Sequence, residues 1–342
     1  MSAGTTPLSR PRPQRRGPAS EATPAAGDGV TRPIDRIELL RRFLEVYWLR
    51  PENALWMTLR SLTLAACPFR RPSIDLSCGD GLFSFLHAGG ILDPCFDVFT
   101  SIQNPEGDEA RSFDMFDRCD DNYAPPVRGR PGNHIDIGTD WKPALLAKAA
   151  KLDFYQRLVQ QDHNKKLAFE DATFGTVFGN AAYWVESIDL FLSELARIAR
   201  PGGRVILQVK LSNIRQCTLT AHKALLGARF LEILDRGRVD SWPTLADRST
   251  WERRFQRANL AVVSVRDVAT RTHAHLWDVG LRPLAPVLIR LANAAPTPER
   301  SAIKRDWVDC ALELLSPLCD PTVDLLPGSA EPVELQYELQ LR

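Results

Sequence analysis

Two glycines and an acid stand close together in residues 72–84 (PSIDLSCGDGLFS), at the end of a short apolar run. Gly79 and Gly81 have no Cβ atom, so the backbone can adopt positive φ there and a ligand can lie against it. Asp75 precedes them, and its carboxylate could accept hydrogen bonds from turn amides or from a cationic ligand group. The spacing therefore predicts a strand that ends in a tight ligand-binding turn.

A dinucleotide-binding turn has the pattern G-x-G-x-x-G, and this segment departs from it because Ser84 stands where the third glycine would be. The segment instead resembles motif I of the class I S-adenosylmethionine-dependent methyltransferases, D/E-x-G-x-G-x-G, with Ser77 in place of the first glycine. This resemblance implies that the methionine end of S-adenosylmethionine is held by Asp75, Ser77, Cys78, Gly79 and Gly81. A structural turn that binds no ligand is the alternative.

Two later segments resemble the same family in the expected order. Residues 196–209 (ARIARPGGRVILQV) follow a helical pattern that Ser187 could cap, and the Pro-Gly-Gly at 201–203 is predicted to end that helix before an apolar strand. Residues 168–184 (AFEDATFGTVFGNAAYW) resemble the approach to the family's fourth strand, which we expect at 173–179. Because open α/β sheets bind ligands at the carboxyl ends of their strands, Asn180 and Tyr183 are candidate site residues.

Two segments compete for strand two, whose acid would bind the cofactor ribose by this resemblance. Asp97, in residues 95–99, lies at the usual distance after motif I, whereas Asp140 lies about forty residues later in HIDIGTDWKPALL. We favour Asp140, because Pro143 and a run of strong helix formers follow it in the order strand, acid, helix. By the same resemblance, Trp141 would cover the adenine face, Asp162 would face the adenine amine, and Asn180 would lie near the transferable methyl group.

The resemblance implies an α/β fold, a Rossmann-like seven-stranded sheet of order 3-2-1-4-5-7-6 with helices on both faces. Strands six and seven are expected at 261–265 and 333–341, and the strict alternation of the latter predicts one wet face unless its Gln and Glu side chains reach partners. Residues 1–33 are rich in proline and arginine and are expected to be a disordered tail. The methyltransferase domain would span 34–342, with accessory helices at 34–66, an insertion at about 88–133 and a helical cap at about 275–330.

The composition excludes several classes of protein. The 342 residues carry a net charge of +1, so no bulk basic field favours a nucleic acid. No apolar run reaches the roughly 18 residues of a membrane span. Seven cysteines without a C-x-x-C pair indicate reduced thiols, and we expect a cytoplasmic protein with no metal site. The Asn-Ala-Ala-Tyr run ending at Tyr183 lacks both prolines of the N-P-P-Y motif of nucleic-acid amino methyltransferases.

Methyl transfer from a sulfonium requires mainly alignment and exclusion of water, so a general base is optional. If one is used, His273 and His275 are the best histidine candidates, and we name His275 and Tyr183 as candidate catalytic residues. A hydrogen-bonded hinge containing Asp278 and Arg282 is the alternative reading of the histidine segment. The sequence thus predicts an S-adenosylmethionine-dependent methyltransferase for a small-molecule acceptor, with oxygen as the expected acceptor atom. A non-catalytic protein that binds S-adenosylmethionine and regulates a partner is the second hypothesis.

Overall fold

The computed structural model describes residues 35–100, 123–234, 242–320, 322–323 and 328–342. The predicted tail at 1–33 and the central part of the predicted insertion at 88–133 lie outside these residues. The chain elsewhere alternates strands and helices in the way that the sequence predicts.

Seven strands form one sheet in the order β5-β4-β1-β6-β7-β9-β8. The strands of the described residues are β1 (Ser73–Leu76), β2 (Ile91–Leu92), β3 (Val127–Gly129), β4 (Ile135–Asp140), β5 (Tyr155–Gln160), β6 (Phe174–Gly179), β7 (Ala199–Lys210), β8 (Leu260–Thr270) and β9 (Pro332–Leu341). β2 and β3 form a separate antiparallel pair, and β9 runs antiparallel to both of its neighbours in the large sheet. With β2 and β3 set aside, this order is the predicted 3-2-1-4-5-7-6, so the fold prediction is confirmed.

Helices cover both faces of the sheet. Those of the described residues are α1 (Arg36–Val46), α2 (Pro51–Leu64), α3 (Leu82–His87), α4 (Pro143–Ala150), α5 (Ile188–Ile198), α6 (Lys223–Leu226), α7 (Ala228–Leu234), α8 (Arg248–Arg257), α9 (Arg271–His275), α10 (Ala285–Asn293) and α11 (Thr297–Leu315). Because successive strand residues point to opposite faces, neighbours in β6 enter different cores. Phe178 packs in the core that contains α1 to α3, whereas Val177 packs in the core that contains α5 and α8.

The polar side chains of β9 are buried and reach partners. Glu334, Gln336 and Glu338 alternate along the strand on the face that α2 covers. The amide of Gln336 donates to the Thr63 carbonyl oxygen at 3.0 Å. The predicted alternation is therefore present. The polar face of β9 is almost completely shielded from water by α2, which supplies hydrogen-bonding partners to it.

One predicted boundary was wrong. The helix that was expected to run to the Pro-Gly-Gly segment ends at Ile198, and β7 already begins at Ala199. The strand continues through the two glycines, and a Cβ atom at Gly203 would lie 2.8 Å from the Arg200 carbonyl oxygen and 2.9 Å from that of Phe174. Pro-Gly-Gly therefore permits close strand pairing at a bulge and does not mark the end of the helix.

Candidate functional site

The turn between β1 and α3 adopts left-handed backbone conformations at three positions. Ser77, Gly79 and Gly81 have φ values of 60°, 60° and 77°. The amide of Cys78, within the turn, donates to the Thr139 carbonyl oxygen of β4 at 2.8 Å. This bond ties the turn to the carboxyl end of the neighbouring strand, where the predicted cofactor residues follow.

The two glycines of this turn serve different purposes. A Cβ atom at Gly79 would meet no described atom within 4 Å, so the backbone there faces open space. A Cβ atom at Gly81 would lie 3.1 Å from the Tyr155 ring and 3.2 Å from both Ala149 and Leu152. A ligand can therefore approach the backbone at Gly79, whereas the absence of a side chain at Gly81 lets α3 pack against α4 and β5.

Asp75 lies inside the protein, beneath the turn. Its Oδ2 accepts hydrogen bonds from Ser84 Oγ at 2.6 Å and from the Tyr155 hydroxyl at 2.7 Å. Burial raises the pKa of Asp75 to about 6, although both hydrogen bonds act in the opposite direction. The structure thus places Asp75 as a support for the turn and for the first residues of α3, and its predicted contact with a ligand stays a prediction.

Asp140 stands at the end of β4 and holds the turn from the other side. Its Oδ2 accepts the amide of Gly79 at 3.1 Å, and its Oδ1 accepts the amide of Lys142 at 2.9 Å. Asp97, the alternative candidate for the acid of strand two, instead forms an ion pair with Arg300 of α11 at 2.9 Å, away from the large sheet. Two of the roughly four acceptor positions of the Asp140 carboxylate are thus directed at backbone amides of the turn and of the start of the following helix.

His163 contacts the β1 turn, and the sequence interpretation missed it. Its Nδ1 lies 2.8 Å from Ser77 Oγ, and its Nε2 lies 3.0 Å from Thr139 Oγ1, so one imidazole joins the ends of β1 and β4. Burial lowers the pKa of His163 to about 4. The ring is therefore neutral near pH 7 and supports the strained Ser77 backbone through one hydrogen bond. The sequence offered no periodic signal for it, because both contacts are long-range.

The other predicted cofactor residues lie along the same edge of the sheet. Trp141 is 62% exposed, and the Lys142 ammonium lies over its ring, 5.5 Å from the ring centre. Asp162 follows β5, where the Asn164 amide donates to it at 2.9 Å and Lys165 pairs with it at 3.2 Å. The Asn164 hydrogen bond is the largest influence that lowers the pKa of Asp162. Asn180 directly follows β6 and is half-buried.

Tyr183 belongs to a buried group of side chains that we call the aromatic–basic cluster. Its members are Trp56, Arg60, Tyr183, Lys210, Trp242, Trp277 and Glu334. The Lys210 Nζ lies 3.9 Å from the centre of the Trp56 ring and 5.1 Å from that of Tyr183. The cluster lies where β6 and β7 end and β9 begins, at the same sheet edge as the β1 turn.

The cluster holds two cations and one anion. Glu334 Oε1 accepts from Arg60 Nε at 2.6 Å, and its Oε2 lies 3.0 Å from Lys210 Nζ. Burial alone would raise the pKa of Glu334, but Arg60 and Lys210 outweigh it and lower this pKa to about 2. Burial would likewise raise the pKa of Tyr183, yet the same two cations lower it below its usual value. The environment of Tyr183 is therefore net positive.

His275, the other predicted catalytic residue, lies elsewhere on the cap. It ends α9, beyond β8, and burial together with the nearby Arg271 lowers its pKa. His275 directly precedes the Leu276–Leu281 turn that carries Trp277 of the cluster, whereas Tyr183 follows β6. A catalytic role for His275 stays a prediction.

His273 is a structural residue. Its Nδ1 accepts the Thr270 amide at 3.1 Å, and its Nε2 lies 2.9 Å from the Leu318 carbonyl oxygen. Next to it, Asp278 pairs with Arg282 and accepts the Leu219 amide at 2.7 Å. This part of the histidine segment therefore corresponds to the hydrogen-bonded hinge that the sequence interpretation named as the alternative.

A family model described as a methyltransferase domain matches residues 124–207. The match runs from the start of β3 through most of β7, and it includes Asp140, Asp162, Asn180 and Tyr183. The β1 turn lies before it. No curated protein sequence matches the chain significantly.

Solved structures with similar folds are distant in sequence. Geranyl diphosphate C-methyltransferase from Streptomyces coelicolor A3(2) is 11% identical, with 83% of this chain and 77% of that chain covered and a TM-score of 0.39. The YcgJ protein from Bacillus subtilis is 15% identical, with 84% and 95% covered and a TM-score of 0.36. A Thermotoga maritima S-adenosylmethionine-dependent methyltransferase, described as a possible histamine N-methyltransferase, is 13% identical, with 69% and 79% covered and a TM-score of 0.38. At these scores the fold assignment depends on the strand order and not on the likenesses.

Within the described part of the chain, no helix is long and apolar enough to cross a membrane. The same residues contain no group of three or more His, Cys, Asp or Glu side chains that could hold a metal ion.

Proposed function

We propose that this chain, which carries a methyltransferase domain of the class I S-adenosylmethionine-dependent type, methylates a small molecule on an oxygen atom. The observation that carries the proposal is that two dissimilar groups of residues, an open turn and a buried cluster, lie along one edge of the sheet. The turn at Gly79 is open and lined by polar groups, whereas the aromatic–basic cluster is apolar and positively charged. The first suits the donor and the second suits an acceptor.

The residues of the first surface fit S-adenosylmethionine. The missing Cβ atom at Gly79 leaves space for a ligand against the backbone, and Asp140 next to it can accept hydrogen bonds from ribose hydroxyls. The exposed ring of Trp141 can cover a planar base, and the Asp162 carboxylate can accept a hydrogen bond from the exocyclic amine of that base. When bound, this cofactor supplies a methyl group on a positively charged sulfur, which is an activated leaving group.

The protein's own contribution is to hold and orient the two substrates and to exclude water from the site. The Asp140 carboxylate accepts hydrogen bonds from two backbone amides, and these bonds fix its orientation before any ligand binds. His163 and Thr139 hold Ser77, so the turn is preorganised without a glycine at its first position. On the acceptor side, four aromatic rings surround Lys210 and leave little access for water.

The first test is calorimetry of the purified protein with S-adenosylmethionine and S-adenosylhomocysteine, with NADH as the comparison ligand. We expect both sulfur compounds to bind and NADH not to bind. Asp140→Asn should weaken binding about tenfold or more, because hydrogen bonds to a charged acceptor contribute roughly 1.5–3 kcal/mol each. The matched control is Asp153→Asn, since Asp153 is an exposed acid paired with Arg130.

Three outcomes would contradict the proposal in different ways. Binding of NADH alone would return the glycine turn to the dinucleotide-binding class. Binding of S-adenosylmethionine without transfer to any compound in a panel of phenols, carboxylic acids, amines and thiols would favour the non-catalytic regulatory protein. Transfer to nitrogen, carbon or sulfur, identified by mass spectrometry of the product, would retain the enzyme and overturn the oxygen acceptor.

A further inference from the structure

Two N–H donors in the aromatic–basic cluster have no hydrogen-bond partner among the described residues. They are Trp242 Nε1 and Arg60 Nη2, the latter on a guanidinium whose other contacts are with Glu334 and Tyr183. Both side chains are almost fully buried, with 1% and 3% of their surface exposed. Buried donors without a partner are costly, because each has lost its hydrogen bonds to water without gaining others. Two of them in one cluster therefore point to a ligand group that accepts hydrogen bonds.

The charges of the cluster indicate the sign of that group. Glu334 can neutralise only one of its two cations, since Arg60 and Lys210 share the same carboxylate. The second cation has no anion of its own, and burial accordingly lowers the pKa of Lys210, because a buried charge is stabilised only when it is paired. An anionic oxygen at the free donors would balance the cluster, whereas a cation or a second neutral donor would not.

The rings of the cluster indicate the shape of the rest of the ligand. Trp242 stacks on Trp277 with 5.8 Å between ring centres and 29° between planes, and it meets Tyr183 edge-on at 5.9 Å. Trp277 is carried by the π-helical turn Leu276–Leu281, and such turns occur frequently at functional sites. Flat aromatic walls favour a planar ligand, because offset stacking and edge contacts add to the burial of apolar area.

We propose that the acceptor is a planar aromatic anion, a phenolate or an aromatic carboxylate, whose charged oxygen binds to Arg60 Nη2 and Trp242 Nε1. This inference rests on the proposed function for the reaction, but the anion site itself does not require it. Arg60 supplies the charge, the indole N–H supplies direction, and the rings of Trp277 and Tyr183 contact the aromatic body.

An anionic acceptor also removes the need for a general base. The oxygen uses a lone pair to form the bond to the methyl carbon, the carbon–sulfur bond breaks, and its electron pair stays on sulfur. The acceptor oxygen changes from −1 to neutral and the sulfur from +1 to neutral, so charge balances and no proton is removed at the transfer step. The cluster then acts by keeping the acceptor ionised.

The test measures binding of benzoate and of 4-nitrophenolate to the full-length protein, with and without saturating S-adenosylhomocysteine. Calorimetry and tryptophan fluorescence report it, the latter because the cluster contains three tryptophans. We expect at least one of the two anions to bind with a dissociation constant below about 1 mM. Benzamide and nitrobenzene, which match them in shape without the charge, should bind at least about tenfold more weakly.

Two pairs of variants locate the site. Arg60→Gln should weaken anion binding about tenfold or more, and its control Arg257→Gln removes an exposed arginine charge and should change nothing. Trp242→Phe keeps a ring but removes the N–H group and should weaken binding about threefold to tenfold. Trp307→Phe removes another buried indole N–H without a described partner, outside the cluster, and should have no effect.

Failure of this inference and failure of the proposed function give different results. Equal binding of charged and neutral probes, absence of binding up to about 10 mM, or wild-type anion affinity in both Arg60→Gln and Trp242→Phe would overturn the anion site. If either variant fails to fold, the comparison of probes on the wild-type protein still decides. Anion binding that needs Arg60, without any binding of S-adenosylhomocysteine, would keep the anion site and contradict the methyltransferase proposal.

Discussion

Lys210 and Glu334 lie opposite each other in the neighbouring antiparallel strands β7 and β9, with Nζ 3.0 Å from Oε2. The same ammonium lies 3.9 Å from the centre of the Trp56 ring, and the Trp56 indole donates to Glu334 at 2.8 Å. One carboxylate thus holds a lysine, a tryptophan and, through its other oxygen, Arg60. The charged centre of the cluster is built on paired backbone, which keeps it rigid.

Glu334→Gln should destabilise the fold far more than Lys210→Met does. The first variant leaves Arg60 and Lys210 buried together without an anion, and breaking a buried pair in this way costs about 3–5 kcal/mol. The second leaves Arg60 and Glu334 as a balanced pair and fills the ring cage with a flexible apolar side chain. Urea unfolding at pH 7 measures both, and equal losses would contradict the role of Glu334 as the shared counter-ion.

The same carboxylate predicts a pH dependence. The pKa of Glu334 is lowered from 4.5 to about 2, so the unfolded state takes up a proton first as the pH falls. Its contribution to stability is therefore complete above about pH 4.5, and it is lost between there and pH 2. The shift corresponds to roughly 3 kcal/mol. In Lys210→Met, where one cation remains, the acid loss in this window should be smaller, as unfolding free energies measured across pH 5 to 2 would show.

Two substitutions at Ser77 lose the same hydrogen bond, so the difference in stability between them measures the backbone strain alone. Ser77 has φ of 60°, a conformation that costs an L-residue about 1–2 kcal/mol and costs glycine almost nothing. Ser77→Ala and Ser77→Gly both lose the bond to His163, but only the alanine keeps the strain. The glycine variant should therefore be about 1 kcal/mol more stable than the alanine variant in urea unfolding. An alanine variant of equal or higher stability would show that the turn is not strained at this residue.

Much of the fold could be predicted from the sequence because its signals are local. The strand at 173–179 and the strand, acid, helix order around Asp140 depend on short apolar runs and on proline and helix-forming residues nearby. The helix end at Ile198 was predicted wrongly because the pairing of Ala199 with Phe174 joins residues that lie 25 positions apart in the chain, and no local pattern signals it.

The positions of the candidate site residues could be predicted only where those residues follow strand ends. Asp140, Trp141 and Asn180 come directly after β-strands or close them, so the fold alone places them on one edge. Arg60 and Trp56 face Glu334 across more than 270 residues, and His163 meets Ser77 across 86 residues. No periodicity in the sequence indicates that such residues are in contact. The alternating pattern of β9 indicated only that Glu334 would either face water or have a polar partner.

His163 and His87 form a matched pair of buried histidines. Burial lowers the pKa of each to about 4, and each ring lies 2.8 Å from a serine hydroxyl, but only His163 contacts the β1 turn. The unfolded state takes up protons below about pH 6.5 while both folded rings stay neutral. Each histidine should therefore cost stability as the pH falls from 6.5 to 4, by up to roughly 3 kcal/mol.

Replacing either histidine with glutamine should flatten this part of the stability profile. Only His163→Gln should also weaken the binding of S-adenosylhomocysteine, by about threefold to tenfold, because it releases Ser77 and the turn. Calorimetry and unfolding on the same samples separate the two effects. A His87→Gln variant that lost the ligand equally would show that general destabilisation, and not the support of the turn, explains the result.

In the proposed methyl transfer, the roles of Tyr183 and His275 can be distinguished. Tyr183 contacts the rings of Trp242 and Trp184, and its hydroxyl forms a hydrogen bond with Arg60. Tyr183→Phe removes this bond and releases Arg60, the proposed anion-binding residue, so it should raise the KM for the acceptor by about threefold to tenfold. Donor affinity should not change. His275→Ala should leave kcat and KM within about twofold, because an anionic acceptor needs no general base at the transfer step.

The pH profile of the two variants decides whether a base takes part. If the acceptor binds as an anion, kcat/KM of the wild-type protein should rise with pH through the acceptor's own pKa and then level off, and this midpoint should move when a more acidic acceptor is used. Both variants should keep the same profile. A midpoint that stays fixed across acceptors, and that disappears in Tyr183→Phe or His275→Ala, would instead identify that residue as the general base.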